Sequence, residues 1–141
     1  MRTKTPVNND MILIVDDGKF IAQTYSRVLL GLGYRVLIAC DGKTGIFAAA
    51  SCKPSLILLD MLMPDMDGLE VLRTLKRTPS TTNIPVLVTS SLSEKNSIKL
   101  IQEGAQGYFE KGSMTQEKLE NAISGILKQR LLVPRGEGSQ L

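Results

Sequence analysis

The 141 residues include no histidine, no tryptophan and only two cysteines. Without histidine the chain cannot build an imidazole metal site or a Ser-His-Asp triad, and any histidine its chemistry needs must come from another protein. Cys40 and Cys52 form neither a zinc motif nor a disulfide framework and read as buried, reduced thiols. Long apolar runs are missing too: none approaches the roughly 20 residues that cross a bilayer. Met1–Asp10 is polar and lacks the apolar stretch of a signal peptide, so a cytoplasmic protein with no membrane association is expected. The body also lacks an excess of either charge. Residues 11–127 carry 12 basic and 12 acidic side chains, and the net +3 comes from the two ends. Direct nucleic-acid binding by a neutral body is therefore not expected.

What is present is an alternation of short apolar runs with amphipathic stretches. Met11–Val15, Arg35–Ala39, Ser55–Leu59, Ile84–Thr89 and Gly107–Glu110 read as strands, continuously apolar as expected when helices cover both faces. Between them, Lys19–Leu32 carries Phe20, Ile21, Thr24, Val28, Leu29 and Leu32 at helical spacing, with Gly33 as its C-terminal cap. Thr44–Cys52 presents Ile46, Phe47, Ala49 and Ala50, and Leu69–Arg77 presents Leu69, Leu72 and Leu75. Ser91-x-x-Glu94 and Ser113-x-x-Gln116 are capping boxes for the last two helices. The last of these has an apolar face of Leu119, Ala122, Ile123, Ile126 and Leu127. Five β-α units with right-handed crossovers give an α/β fold, an open, doubly wound parallel sheet. One domain is expected over residues 11–130, with flexible segments at 1–10 and 131–141.

Ligands of such sheets bind outside the carboxyl ends of the strands. Asp16-Asp17 follow the first strand, Asp60 the third, Thr89-Ser90-Ser91 the fourth and Lys111 the fifth. Taken singly, Asp16-Asp17 could cap the first helix and Asp60 could form a turn. Together they place three carboxylates, hydroxyls and an ammonium on one edge. Three close carboxylates repel one another and Lys111 offsets one charge, so a divalent cation is expected. Oxygen donors without histidine or cysteine favour Mg²⁺ or Mn²⁺, and a sparse site suits Mg²⁺. A carboxylate beside such an ion is a competent nucleophile toward a phosphoryl group. Asp65 and Asp67, with Pro64 and Gly68, read instead as loop and helix-capping residues.

These segments resemble the receiver domain of two-component response regulators over about residues 11–128. The resemblance is carried by Ile12–Asp17, by Leu58–Gly68 with its D-x-x-x-P-x-x-D-G pattern from Asp60, by Pro85–Ser90 and by Gly104–Lys111. It implies a flavodoxin-like (βα)5 domain with strand order 2-1-3-4-5, working as a phosphoprotein in phosphorelay signalling. It implies that Asp60 takes a phosphoryl group from a phosphohistidine on a sensor histidine kinase or phosphotransfer protein. Asp17, Asp60 and the Leu62 backbone carbonyl would hold Mg²⁺, with Asp16 helping through water. Lys111 would pair with the phosphoryl group, Thr89 would hydrogen-bond it, and Tyr108 would turn inward. The face of the fourth helix, fifth strand and fifth helix would then engage a downstream protein, with homodimerisation on phosphorylation left open. The only reaction implied is the domain's own phosphorylation and dephosphorylation.

The sequence departs from the family in places. Gly112 follows Lys111 where proline is usual, and a cis bond before glycine would cost about 2.5–4 kcal/mol, so a trans, looser loop is expected. Leu62 lies two residues after Asp60 and cannot orient water, so slow hydrolysis of the phosphoform is expected. Ser90 replaces the more common alanine and leaves the phosphoryl path open. Two other readings remain. A Mg²⁺ phosphatase of the haloacid-dehalogenase type would need an acid where Leu62 stands, and a pseudo-receiver would bind partners without phosphotransfer.

Overall fold

A computed structural model describes residues 9–91, 97–111 and 114–132. The apolar runs form β1 (Met11–Val15), β2 (Arg35–Ala39), β3 (Leu56–Asp60), β4 (Val86–Ser90) and β5 (Gly107–Glu110). Alternating with them are α1 (Lys19–Gly31), α2 (Gly42–Cys52), α3 (Gly68–Arg77), α4 (Ser97–Gln102) and α5 (Gln116–Leu132). Every neighbouring pair of strands is parallel, and the order across the sheet is β2-β1-β3-β4-β5.

Successive strand residues face opposite sides, and the two faces bury two cores. Leu13, Val15, Ile57, Leu59, Val86 and Val88 pack with Ala49 of α2, Val71, Leu72 and Leu75 of α3 and Leu100 of α4. Ile12, Ile14, Leu56, Leu58 and Leu87 pack with Ala22, Tyr25 and Leu29 of α1 and Leu119, Ile123 and Leu127 of α5. Both faces of β3 and β4 are fully buried, which is why their sequences are apolar without alternation.

Helix phase corrects two expectations. The buried residues of α1 are Ala22, Tyr25 and Leu29, and Phe20, two residues and about 200° from Ala22, is 85% exposed. In α2 the sheet side is Gly42, Gly45 and Ala49, so Phe47 points outward and is 71% exposed. The two cysteines are exposed, not buried: Cys40 lies just past β2 and Cys52 ends α2. β4 begins after Pro85, not at Ile84. The Pro85 carbonyl still accepts from Ile57 N at 2.9 Å, as suits a residue with no N–H to donate.

Caps set the helix boundaries. Gly33 follows α1 at φ +96°, a conformation glycine adopts without a Cβ penalty. Asp41 accepts from Thr44 N at 2.8 Å and Asp67 from Leu69 N at 3.1 Å. At α5 the capping hydroxyl is that of Thr115, which accepts from Lys118 N at 3.1 Å. Ser113, expected in that role, lies outside the described residues, as do Glu94 of the other box and Gly112. Most of the two segments expected to be flexible also falls outside them. Among the described residues no helix is long and apolar enough to cross a membrane.

Close packing of α2 on the sheet depends on Gly45, where an added Cβ would stand 2.7 and 2.8 Å from the Val15 methyls. Gly45→Ala is expected to cost about 1–3 kcal/mol in urea unfolding. Gly125→Ala, on the open side of α5 with nothing within 4 Å, should gain about 0.5–1 kcal/mol through helix propensity.

Candidate functional site

The strand order brings the carboxyl ends of β1, β3 and β4 side by side. Asp16 follows β1 directly, and its N–H donates to the Ala39 carbonyl at 3.1 Å, so β2 fixes its backbone. Asp60 ends β3 and stands in register with Thr89 of β4. Asp16 and Asp60 are each 3% exposed, whereas Asp17 faces solvent. One carboxylate oxygen from each of the three lies within 4.8 Å of the others. The predicted acids therefore converge.

Lys111, in the turn after β5, reaches into this cluster. Its ammonium is 3.1 Å from Asp16 Oδ2 and 3.1 Å from Asp60 Oδ1. Neither ion pair involves Asp17. Each buried acid also holds its own loop. Asp16 Oδ1 accepts from Gly18 N at 2.9 Å, and Asp60 Oδ1 accepts from Leu62 N at 3.3 Å. Both acids thus brace the turns that follow them as they converge, but the expected capping of α1 by Asp16 and Asp17 is not realised: its N-cap is Gly18, with no side-chain cap hydrogen bond. At Asp60 both contacts fall on Oδ1, and Oδ2 is the oxygen that neither takes up.

The electrostatics follow from two buried acids sharing one cation. Burial and then the Asp16 charge push the Asp60 carboxyl above its usual range, against the pull of Lys111 and the Leu62 N–H. Burial works to lower Lys111, but Asp16 and Asp60 outweigh it and hold the ammonium above its ordinary value. The uncompensated charge, with acidic oxygen donors and no soft ligand, fits a hard divalent cation held by Asp16, Asp17 and Asp60.

Two hydroxyls complete the site. Among the described residues, the buried Thr89 Oγ1 has no hydrogen-bond partner, an unsatisfied donor beside Asp60 that costs free energy until an acceptor arrives. Tyr25 Oη of α1 is also buried without a partner among the described residues. Burial, then Asp16, then Asp60 push its phenol up to about 12, which keeps it protonated. Sequence reading passed over Tyr25, although the spacing Ala22, Tyr25, Leu29 marks the buried face. Ser90 is buried at the end of β4. Tyr108 is half-buried and packs against the core on the α2, α3 and α4 side. Leu62 is half-exposed in the loop between β3 and α3.

A family model for the response regulator receiver domain matches residues 12–124. The chain is 35% identical over 116 residues to the gliding motility regulatory protein of Myxococcus xanthus, covering 82% of this chain and 15% of that protein. It is 34% identical over 125 residues to the DNA-binding dual master transcriptional regulator RpaA of Synechocystis sp., covering 88% and 52%. The chain thus spans about half or less of the length of these curated relatives. Among solved structures, the Francisella response regulator 1452 receiver domain superposes with a TM-score of 0.78 at 27% identity, covering 86% of this chain and 99% of that one. Chemotaxis protein CheY4 of Vibrio cholerae superposes with a TM-score of 0.77 at 25% identity, covering 83% and 98%.

Because folding raises the Asp60 carboxyl above its unfolded value, the folded state holds its proton longer. That stabilising contribution is full below the ordinary carboxylate range and is lost as pH rises through the folded value. Asp60→Asn, measured without divalent cation, should therefore be more stable than the parent at pH 7, by roughly 0.5–2 kcal/mol. The gain should vanish in acid. A loss of stability at pH 7 would contradict the balance described.

Proposed function

The chain belongs to the response regulator receiver domain family, and on that footing we propose that Asp60 accepts a phosphoryl group and that its phosphorylation switches a protein-binding face. One observation carries this reading: Asp60 has Oδ1 tethered by Lys111 and Leu62 N, Oδ2 outside those contacts, and the unpartnered Thr89 hydroxyl on the adjoining strand.

The donor is a phosphohistidine on a sensor histidine kinase or a phosphotransfer protein, since this chain has no histidine of its own. The free Asp60 oxygen attacks phosphorus, the P–N bond breaks, and its electron pair returns to the donor imidazole, which takes up a proton. Asp16, Asp17, Asp60 and the Leu62 backbone carbonyl would hold Mg²⁺, which supplies positive charge to the phosphoryl oxygens when bound. Lys111, already between the two buried acids, exchanges a carboxylate contact for a phosphoryl oxygen. The Thr89 hydroxyl turns its proton to another and so gains the acceptor it lacks.

These contacts exist only with the phosphoryl group in place, so they shift the population toward a second arrangement. Thr89 is carried by β4, which pairs with β5 through Val88 and Tyr108. The inward turn of Tyr108 therefore transmits the change to the face made by α4, β5 and α5. Ile98 and Ile101 of α4 are exposed, Ile98 by 72%, and a downstream protein or a second copy of the chain docks on the face that α4 helps to form. Residues 11–130 constitute the receiver unit, acting in the cytoplasm without direct nucleic-acid binding. It turns over no substrate beyond its own phosphoryl group.

Acetyl phosphate with Mg²⁺ should add one phosphoryl group per chain by intact mass spectrometry, and Asp60→Ala should abolish the addition. No added mass from acetyl phosphate or phosphoramidate would leave a binding module without phosphotransfer. Many turnovers of a small phosphoester per chain would favour a phosphatase. Leu62 cannot orient an attacking water, whereas an amide can. Leu62→Asn should accordingly shorten the phosphoform lifetime several-fold, and a longer lifetime would refute the role given to Leu62.

A further inference from the structure

The loop from Met61 to Asp67 carries the Leu62 carbonyl and joins β3 to α3. Its two ends are fixed by backbone contacts. Met61 N donates to Thr89 O at 2.9 Å, and Gly68 N donates to Met61 O at 3.0 Å. A Cβ on Gly68 would stand 2.5 Å from Met61 Cα, so the closure tolerates no larger residue. Within the loop, the Leu62 N–H reaches Asp60 Oδ1 at the long distance of 3.3 Å.

The middle of the loop is tied to a different helix. Asp65 Oδ1 and Oδ2 accept from Gly42 N at 3.0 and 3.1 Å, and Oδ2 accepts from Lys43 N at 3.3 Å. Gly42 and Lys43 open α2, 23 and 22 residues earlier in the chain. That helix already has a cap in Asp41, which accepts from Thr44 N at 2.8 Å. The Gly45 N–H begins the helical ladder on Asp41 O at 3.0 Å. Asp41 and Asp65 together therefore satisfy the N–H groups of the first turn, and two carboxylates lie at the positive end of the helix dipole. The approach is close because residue 42 is glycine: a Cβ there would stand 2.9 Å from both Met66 Cβ and Val71 Cγ2.

A cap alone does not need Asp65. What Asp65 adds is a bridge from the β3–α3 loop to the β2–α2 junction. β1 lies between β2 and β3 in the sheet, so the bridge crosses the end of β1, where Asp16 and Asp17 stand. Among the described residues, Asp65 provides the side-chain hydrogen bonds that run from residues 61–66 to another helix. We infer that Asp65 is a positioning residue that holds the Leu62 backbone against the acid cluster by latching its loop to the N-terminus of α2. The consequence for cation binding rests on the reading of that cluster as a Mg²⁺ site, whereas the latch itself does not.

The test compares Asp65→Ala, Asp65→Asn and Asp41→Ala by amide hydrogen exchange without divalent cation, and by Mg²⁺ titration followed by calorimetry. Asp41→Ala uncaps α2 without touching the loop, so it controls for capping. Asp65→Ala should raise exchange at both Gly42 and Leu62 by about 10-fold and weaken Mg²⁺ binding by a similar factor, consistent with losing charge-assisted hydrogen bonds. Asp65→Asn keeps one acceptor oxygen but loses the charge and the second acceptor, and should fall between the parent and Asp65→Ala on both readouts. Asp41→Ala should raise exchange at Thr44 and leave Leu62 and Mg²⁺ affinity unchanged. If Asp65→Ala accelerates Gly42 but not Leu62, Asp65 is only a second cap and the inference is wrong. If the parent chain binds no Mg²⁺, the metal reading fails, and the Leu62 exchange rates still decide the latch.

Discussion

Asp16 and Asp60 leave water at the same edge of the sheet, and the ammonium of Lys111 lies 3.1 Å from each. Two buried carboxylates at such range repel each other strongly, and burying either one alone would be costly. One lysine offsets one charge and leaves a net negative pocket with the exposed Asp17 at its rim. That imbalance is the physical basis of the proposal that the edge takes a divalent cation and a phosphoryl group. It also limits the fold. Neighbouring strands lie about 4.8 Å apart, so the Lys111 side chain, following β5, meets Asp16 of β1 across the ends of β4 and β3. The chain separates the two partners by 95 residues, and the strand order β2-β1-β3-β4-β5 brings them within one side-chain length.

The surrounding scaffold keeps this edge in register. Backbone contacts from Asp16 N to Ala39 O and from Met61 N to Thr89 O fix each acid to the strand beside it. Gly45 lets α2 settle on Val15, and Gly68 lets α3 begin directly over Met61. At the far end of α3, Arg73 Nε and Nη2 donate to Glu103 Oε1 and Oε2, each at 3.0 Å, and tie α3 to the end of α4. This pair is partly exposed and contributes modestly to stability. It does fix where the C-terminal end of α4 sits beside the sheet.

Much of the architecture was legible in the amino-acid order. The inner strands β1, β3 and β4 are short runs of branched apolar residues whose burial on both faces forbids polar alternation. The edge strands β2 and β5 are only partly buried, and the limits of all five shift by one or two residues at most. Helix interiors were harder to phase. Phe20 and Phe47 invite burial by composition, yet the stripe that meets the sheet is Ala22, Tyr25, Leu29 in α1 and Gly42, Gly45, Ala49 in α2. In α2 small residues take that side because the helix settles closely on Val15 at Gly45, whereas in α1 the phase set by Ala22, Tyr25 and Leu29 buries one ring and leaves Phe20 on the outer side.

The site divides along the same line. The order of residues alone placed Asp16, Asp17, Asp60, Thr89 and Lys111 at strand ends, since a polar residue directly after a buried run marks the sheet edge. Which oxygen meets which donor was decided only by folding. Lys111 chooses Asp16 and Asp60 over Asp17, the Thr89 and Tyr25 hydroxyls are left without partners among the described residues, and Asp65 caps a helix 23 residues before it. Local sequence carries periodicity, caps and turns because these depend on neighbours within a few positions. Pairings across crossovers depend on how two helical layers pack on one twisted sheet, and no local pattern encodes that.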